Sequence, residues 1–336
     1  MSRAVLKTTI LATMACFIAG EALAVEWNVS LWGKRRAFTE NVEKLAELVK
    51  EKTNGAFTLN ISYGGLSKNT ENLDGISFGA FEMAQFCAGY HADKNPTLTV
   101  LELPFLGVGD LRQETDLSMA VYSHPEVVKD LARWNAVLLM PSPMPQYNLA
   151  GVGDAPKTLA DLSGMRVRAT GGIGEAMKEL GAVPTSMTAT EVYSALESGV
   201  IDAASFAPHA HVSFRVTDIA TWWTTNLNPG TLNCPVVANK DALDGLSDAH
   251  REALLSSIPE ALDFYIENYN AKAYKAMDDK IAERNIAKVT FDKENLAEVK
   301  EKVADPAATA WVAEMSGKGI AAQDLYDFVK AKIEGK

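Results

Sequence analysis

Three cysteines in 336 residues are too few for a disulfide framework. Cys16 falls in an apolar leader, which leaves Cys87 and Cys234. These two make no zinc signature; an oxidising compartment permits a bridge, but we read them as two separate buried thiols. The chain also lacks a G-x-S-x-G elbow, an H-E-x-x-H helix, a Walker loop and any paired-cysteine motif, so the common catalytic and nucleotide-binding signatures are absent. It has no basic block, and its formal net charge is −11. Nucleic acid is a poor partner for such a chain. No internal repeat and no low-complexity tract is present.

One apolar run does occur. Arg3 and Lys7 precede the stretch TTILATMACFIAG (8–20), and ALA follows at 22–24. This reads as a signal peptide over residues 1–24, cleaved after Ala24. The run is shorter than the roughly 20 residues a membrane span needs. The expected mature chain is exported, periplasmic and soluble, with about 312 residues, enough for two lobes with separate cores. Losing Arg3, Lys7 and Glu21 brings its charge to about −12, spread over helices as a solvated surface.

Periodicity then gives the elements. EWNVSLW (26–32) alternates as a strand, and 37–53 places Val42, Leu45, Leu48 and Val49 on one helical face. Strands near 56–63 and 81–86 flank a helix around 69–79, an α/β order that argues for a largely parallel sheet. The prolines of PSPMP (141–145) mark a first crossover between lobes. A second α/β pattern begins at TLADLSGMRVRAT, and CPVVA (234–238) reads as the return to the first lobe. Helices fill 247–284, with Pro259 expected to bend or divide them. A late strand at 288–291 and two more helices close the chain.

In DLSGMRVRAT (161–170), Met165, Val167 and Ala169 alternate with Arg166 and Arg168. One strand face is core, and the arginines leave on the other. Arg168 stands at the carboxyl end, where ligands bind in open α/β sheets. Its flat fork of donors matches a carboxylate; an ion pair with another side chain would explain it equally well. GGIG (171–174) reads as a tight strand-to-helix turn. His209 and His211, two apart, would share one face of a strand. A metal site there has no supporting cluster, and we read them as cleft-lining or polar; no metal and no cofactor is expected.

Several stretches occur in the order of a known family. LAELVKEKTNGAF (45–57), LELPFLG (101–107), LADLSGMRVRA (159–169) and LGAVPTSMTATEVYSALESGVIDA (180–203) resemble landmarks of the substrate-binding proteins of tripartite ATP-independent periplasmic (TRAP) transporters, the dicarboxylate-receptor-like family. The resemblance runs from about 26 to 330, and the block at 161–202 is its most specific part. It implies a two-lobed periplasmic binding protein (class II-like), with hinged α/β lobes, a ligand cleft and a long helix in the C-terminal half. The implied lobes are 25–145 plus about 234–273, and 146–233 plus about 274–336. In this family the arginine ending the G-x-x-x-R strand holds the ligand carboxylate, and here that position is Arg168. Arg166 would be supporting or exposed.

The resemblance also transfers weaker positions. Members often carry a second arginine about 20 residues earlier; here Gln146, Tyr147 and Asn148 stand there. Phe206 replaces an asparagine common after the V-D-G strand. Trp32, Gln85 and Phe86 end strands of the first lobe, while Trp222, Trp223 and Asn226 precede the return. His209 completes the candidate set. One guanidinium among aromatic side chains suits a monocarboxylate with an apolar or aromatic body, or a zwitterion with its cationic head on aromatic faces. GKRR (33–36) and Lys68 are read as a solvated helix start that could supply a second positive charge.

The expected function is capture of an organic acid by a monomer, for delivery to integral-membrane TRAP permease subunits. Two other readings stand beside it: a periplasmic hydrolase or isomerase using His209 or His211 with an acid, and a ligand receptor for a sensor kinase.

Overall fold

The computed structural model describes residues 24–335; the expected signal peptide lies outside them except for Ala24. The first lobe opens with β1 (Val25–Leu31), β2 (Phe57–Tyr63), β3 (Met83–Gln85) and β4 (Ala136–Pro141). The second holds β5 (Asn148–Gly151), β6 (Arg166–Arg168), β7 (Val183–Thr185), β8 (Ala203–Phe206) and β9 (Trp222–Thr224). The chain then returns through β10 (Pro235–Asn239) before β11 (Ala287–Val289). Two sheets result, ordered β2-β1-β3-β10-β4 and β11-β9-β5-β8-β6-β7. The α/β two-lobed class is as expected, but the sheets are mixed. The returning β10 lies antiparallel between β3 and β4, and β5 is antiparallel to both β8 and β9. A strand that re-enters a sheet directly from the other lobe has no crossover helix to make it parallel.

Four connections join the lobes among the described residues, the last of them helix Lys293–Gly317. Residues 142–147 and 230–234 run side by side: Ser142 N donates to the Cys234 carbonyl at 2.7 Å and Tyr147 N to the Gly230 carbonyl at 2.8 Å. The third is a helical run from Asp248 to Arg284. Its first part packs on helix Glu40–Lys52 through Leu254, Ile258, Ala261 and Leu262, in one core with Leu45 and Val49. Pro259 does not divide it, since Asp248–Asn268 continues through that position. The irregularity lies further on, as a π-helical turn at Tyr269–Ala273. There the run leaves the first lobe, and a widened turn lets the two halves present different faces.

The last stretch divides between two cores. Met277, Ile281, Ile286 and Val289 pack with Val167, Ala203 and Trp222. Ala308, Trp311, Met315, Leu325 and Val329 instead pack with Leu98, Val100, Leu117 and Val121 of the first lobe. Helix Lys293–Gly317 has 25 residues and spans about 37 Å, enough to serve both lobes.

Cys87 and Cys234 are joined in a disulfide, which corrects the reading of two free thiols. Their spacing of 147 residues in sequence concealed that β3 and β10 are adjacent. The bridge ties the crossover at 230–234 to the turn Ala88–Tyr90. Glu102 reinforces the same junction, its Oε1 accepting from Gly89 N at 3.0 Å and Asn233 N at 3.1 Å. Asn233 also donates to Ser118 Oγ and accepts from the Tyr122 hydroxyl. Ser118 in turn donates to Glu114. Burial pushes both Glu102 and Glu114 up to about 8.

Two outcomes follow from this junction. Closing a loop of 147 residues removes denatured-chain entropy worth about 2–5 kcal/mol. Dithiothreitol should therefore lower the denaturant midpoint of the wild type by that equivalent, and leave a Cys87→Ala/Cys234→Ala double variant unchanged. The carboxyls give a pH signature. Their folded-state values lie above the unfolded value, so their contribution is complete below about 4.5 and lost as pH rises through about 8. Thermal unfolding followed from pH 6.5 to 8.5 should show stability falling with pH, and Glu114→Gln, which keeps the neutral acid's shape, should flatten that slope.

Candidate functional site

Arg168 ends β6 and is 1 % exposed. Its Nε donates to the Met187 carbonyl at 3.1 Å, its Nη1 to the Ser205 carbonyl at 3.0 Å and its Nη2 to the Tyr90 hydroxyl at 2.9 Å. The guanidinium lies 4.4 Å from the Phe206 ring centroid. No carboxylate pairs with it among the described residues; all its contacts are neutral. Arg166, two residues earlier, is exposed and forms an ion pair with Asp202. The two arginines that looked alike in sequence are thus one surface pair and one buried, anion-free cation.

The turn after β6 allows the lobes to meet. Gly171 has φ +56, a left-handed conformation that favours glycine. At Gly172 a Cβ would stand 2.1 Å from the Glu102 carbonyl oxygen. The GGIG stretch is therefore a close approach of a helix start to the first lobe, consistent with the tight-turn reading.

Around Arg168 the facing surfaces are aromatic. Trp32 of the first lobe stacks on Phe214 of the second, with centroids 6.3 Å apart and planes 6° from parallel. Trp32 also meets Tyr90 edge-on at 5.8 Å, and Phe206 stacks on Phe214 at 5.7 Å. Phe38 stacks on His209 at 6.1 Å. Offset and edge contacts of this kind are the favoured geometries of ring pairs.

The histidines sit on helix Pro208–Ser213 rather than on a strand. Pro208 occupies the first helical position, where a fixed φ is pre-organised for the helix, and a two-residue spacing there does not put side chains on one face. His209 Nδ1 is 2.7 Å from the Tyr269 hydroxyl, and His211 Nε2 is 3.0 Å from the Asn148 carbonyl. Burial first, then the positive charges of Arg36 and His211, pushes His209 down to about 3; burial likewise brings His211 to about 4. Both are neutral near pH 7, and neither has a carboxylate partner. Among the described residues, no group of three or more His, Cys, Asp or Glu side chains stands together as a metal site.

The structure brings only some of the sequence candidates to Arg168. Phe206 covers it and Trp32 reaches it through Tyr90, whereas His209 lies against Phe38 and Tyr269 on the Arg36 side. Tyr147 is buried with its hydroxyl on Met144 Sδ, and both Arg168 and Arg36 are close enough to oppose the upward push that burial gives its pKa. Gln85 lies between the site and the hinge, its Nε2 donating to the Phe38 carbonyl and to Ser142 Oγ. The others are elsewhere. Phe86 belongs to the first-lobe core against His91. Trp222 is fully buried under Gly151, where a Cβ would come within 2.2 Å of its ring. Asn226 closes a backbone pair with Phe291. Gln146, Asn148 and Trp223 line a separate groove of about 310 Å³ with Pro208, Tyr274 and Asp278. Tyr90, Phe38 and Phe214 escaped sequence reasoning because nothing local marks a loop aromatic that will face the opposite lobe. Arg36, read as part of a solvated helix start, is buried.

Comparison with known proteins agrees with this geometry. The profile of the bacterial extracellular solute-binding protein family 7 (DctP) matches residues 29–312. The C4-dicarboxylate-binding periplasmic protein DctP of Rhodobacter capsulatus is 26% identical, over 70% of this chain and 72% of its own length. A monocarboxylate 2-oxoacid-binding periplasmic protein of Nostoc sp. is 27% identical, over 74% of this chain and 69% of its own. Among solved structures, a TRAP solute-binding protein from a marine metagenome, specific for aromatic acids and crystallised with 3-hydroxybenzoate, superimposes with a TM-score of 0.82. It is 21% identical, and the match covers 93% of this chain and 99% of that one. A buried, anion-free arginine ending a second-lobe strand, two sheets joined by paired crossovers and a profile match across most of the chain agree: this protein belongs to the bacterial extracellular solute-binding protein family 7.

Proposed function

We propose that this protein is the periplasmic receptor of a TRAP transporter, capturing an organic acid with a planar or aromatic body between its lobes. Arg168 is the anchor, and its burial without an anionic partner is the observation that carries the reading. A buried cation lacking a counter-charge is costly, and a ligand carboxylate supplies the missing charge through charge-assisted hydrogen bonds. Phe206, Phe214, Trp32 and Tyr90 offer ring faces and edges to the ligand body. The aromatic acids and carboxylates bound by the relatives support this class. The chain acts as a monomer and hands its ligand to membrane permease subunits.

The reading excludes turnover. His209 and His211 engage a tyrosine hydroxyl and a backbone carbonyl, with no acid to orient either as a base. Closure follows from binding because the ligand touches both lobes and so favours the closed state.

Calorimetry on ligand-stripped protein tests the anchor. Arg168→Ala should weaken binding of an organic acid found by thermal-shift screening by about 2–5 kcal/mol, roughly 30-fold to several thousandfold. Arg168→Lys should recover only part, because an ammonium lacks the planar fork. Arg166→Ala should leave affinity nearly unchanged, since that side chain serves Asp202. Wild-type affinity in a folded Arg168→Ala protein, or conversion of the bound compound, would defeat the proposal.

A further inference from the structure

Arg36 is the second buried guanidinium of the interlobe region. It is 8 % exposed and lies 4.2 Å from the Trp32 ring, 4.7 Å from Phe38 and 5.5 Å from Phe214. Its Nη1 donates to the carbonyls of Trp32 at 3.1 Å and Lys34 at 2.7 Å. Its Nε and Nη2 are buried and have no partner. No carboxylate pairs with it among the described residues, whereas the adjacent Arg35 is exposed and takes Glu43. Burial without a counter-charge holds Arg36 down to about 10.

Arg36 and Arg168 border one aromatic group. Phe214 lies against Arg36 and stacks on Phe206, which covers Arg168. Trp32 lies against Arg36 and meets Tyr90, whose hydroxyl accepts from Arg168. Tyr147 feels both charges. The two cations differ in what they leave open. Every nitrogen of Arg168 already has a neutral acceptor, while Arg36 keeps its Nε–Nη2 edge free. That edge carries two parallel N–H bonds, the fork that grips a carboxylate through both oxygens. Buried donors left without acceptors are rare in native proteins, and a monoanion on Arg168 would leave both the edge and its charge unanswered.

We propose that Arg36 is a specificity-determining residue that binds a second carboxylate, so that the preferred ligand is a planar dicarboxylate spanning Arg168 and Arg36. This departs from the monocarboxylate or zwitterion expected from the sequence, which counted one guanidinium in the cleft, and it rests on the reading of Arg168 as the first anchor. The aromatic rings between the two arginines then meet the body of the ligand, and its two charges neutralise one cation from each lobe. A dicarboxylate of this shape would be favoured over a monocarboxylate with the same ring, because only the former satisfies both forks.

The test uses calorimetry on the ligand-stripped mature chain with benzoate, phenylacetate, isophthalate and terephthalate as probes. Wild type should bind at least one of the two dicarboxylates about 30-fold or more tighter than benzoate. Arg36→Met keeps an apolar stem among the rings and removes the fork; it should erase that preference, weakening the dicarboxylate about 30-fold more than it weakens benzoate. Arg36→Lys should restore only part of it. Equal wild-type binding of mono- and dicarboxylates, or an equal loss of both in folded Arg36→Met protein, overturns the proposal. Arg168→Ala separates the two readings. If it abolishes binding of a dicarboxylate that Arg36→Met does not affect, the anchor stands and the second site falls. If benzoate binding survives Arg168→Ala, the anchor itself fails, and the proposal falls with it. No binding of any probe overturns the proposal, and the thermal-shift screen on wider organic acids then decides the anchor alone.

Discussion

The burial of Arg168 without an anion is the constraint on which the site depends. A guanidinium cannot escape its charge by releasing a proton, so the fold must surround it with oriented dipoles. It does so with two second-lobe carbonyls, of Met187 and Ser205, and a first-lobe hydroxyl, of Tyr90. These contacts fix the plane of the fork before any ligand arrives, so little rotamer freedom remains to be lost on binding. They do not neutralise the charge. The anchor is therefore oriented but electrostatically unfinished, which suits a receptor better than a permanent internal ion pair would.

The hinge is built around the same need. Tyr90 can reach Arg168 only if its turn is held, and it is held by the Cys87–Cys234 bridge and by Glu102 Oε1, which accepts from both Gly89 N and Asn233 N. Both crossovers and the long helix pass close by. Tyr265 donates to the Pro143 carbonyl in one crossover, and the Tyr269 hydroxyl meets His209 at the π-helical turn. Between the lobes themselves two contacts are rings on rings, Trp32 on Phe214 and Phe38 on His209. Such contacts are weakly directional compared with hydrogen bonds, so the lobes can part and rejoin without stranding many polar groups. A ligand whose charge engages both lobes biases that motion through its differential contacts with the closed state.

Much of this was legible in the sequence, and the gaps have physical causes. Arg168 was readable because alternation in a short strand puts it opposite Met165, Val167 and Ala169, at the carboxyl end of its strand. Asp202 as the partner of Arg166 was not, because that pairing depends on strand neighbours 36 residues apart. The disulfide was hidden for the same reason. Trp222 and Trp223 are adjacent in sequence, yet one is sealed beneath Gly151 and the other lines an outer groove; composition cannot distinguish two neighbours on opposite faces. Arg36 shows the sharpest limit. In GKRR it looks like its neighbours, and only the packing of Trp32, Phe38 and Phe214 around it separates a buried cation from a solvated helix start.

That burial also reconciles an acidic chain with an anionic ligand. A net charge of −11 would repel an organic acid at long range. At physiological ionic strength, however, charges on the surface are screened within about 8 Å, so the repulsion fades short of the cleft. Arg168 and Arg36 are buried, where screening is weaker, and no carboxylate pairs with either among the described residues. Some of the exposed acidic residues are paired with lysines a helical turn away, as in Lys275–Asp279 and Lys302–Glu298. Exposed pairs of that kind contribute little energy. Charge on the outside thus keeps the chain hydrated, while the two buried guanidiniums, held by neutral oxygens and rings, are the groups through which, on the proposed reading, an anion would be selected and oriented.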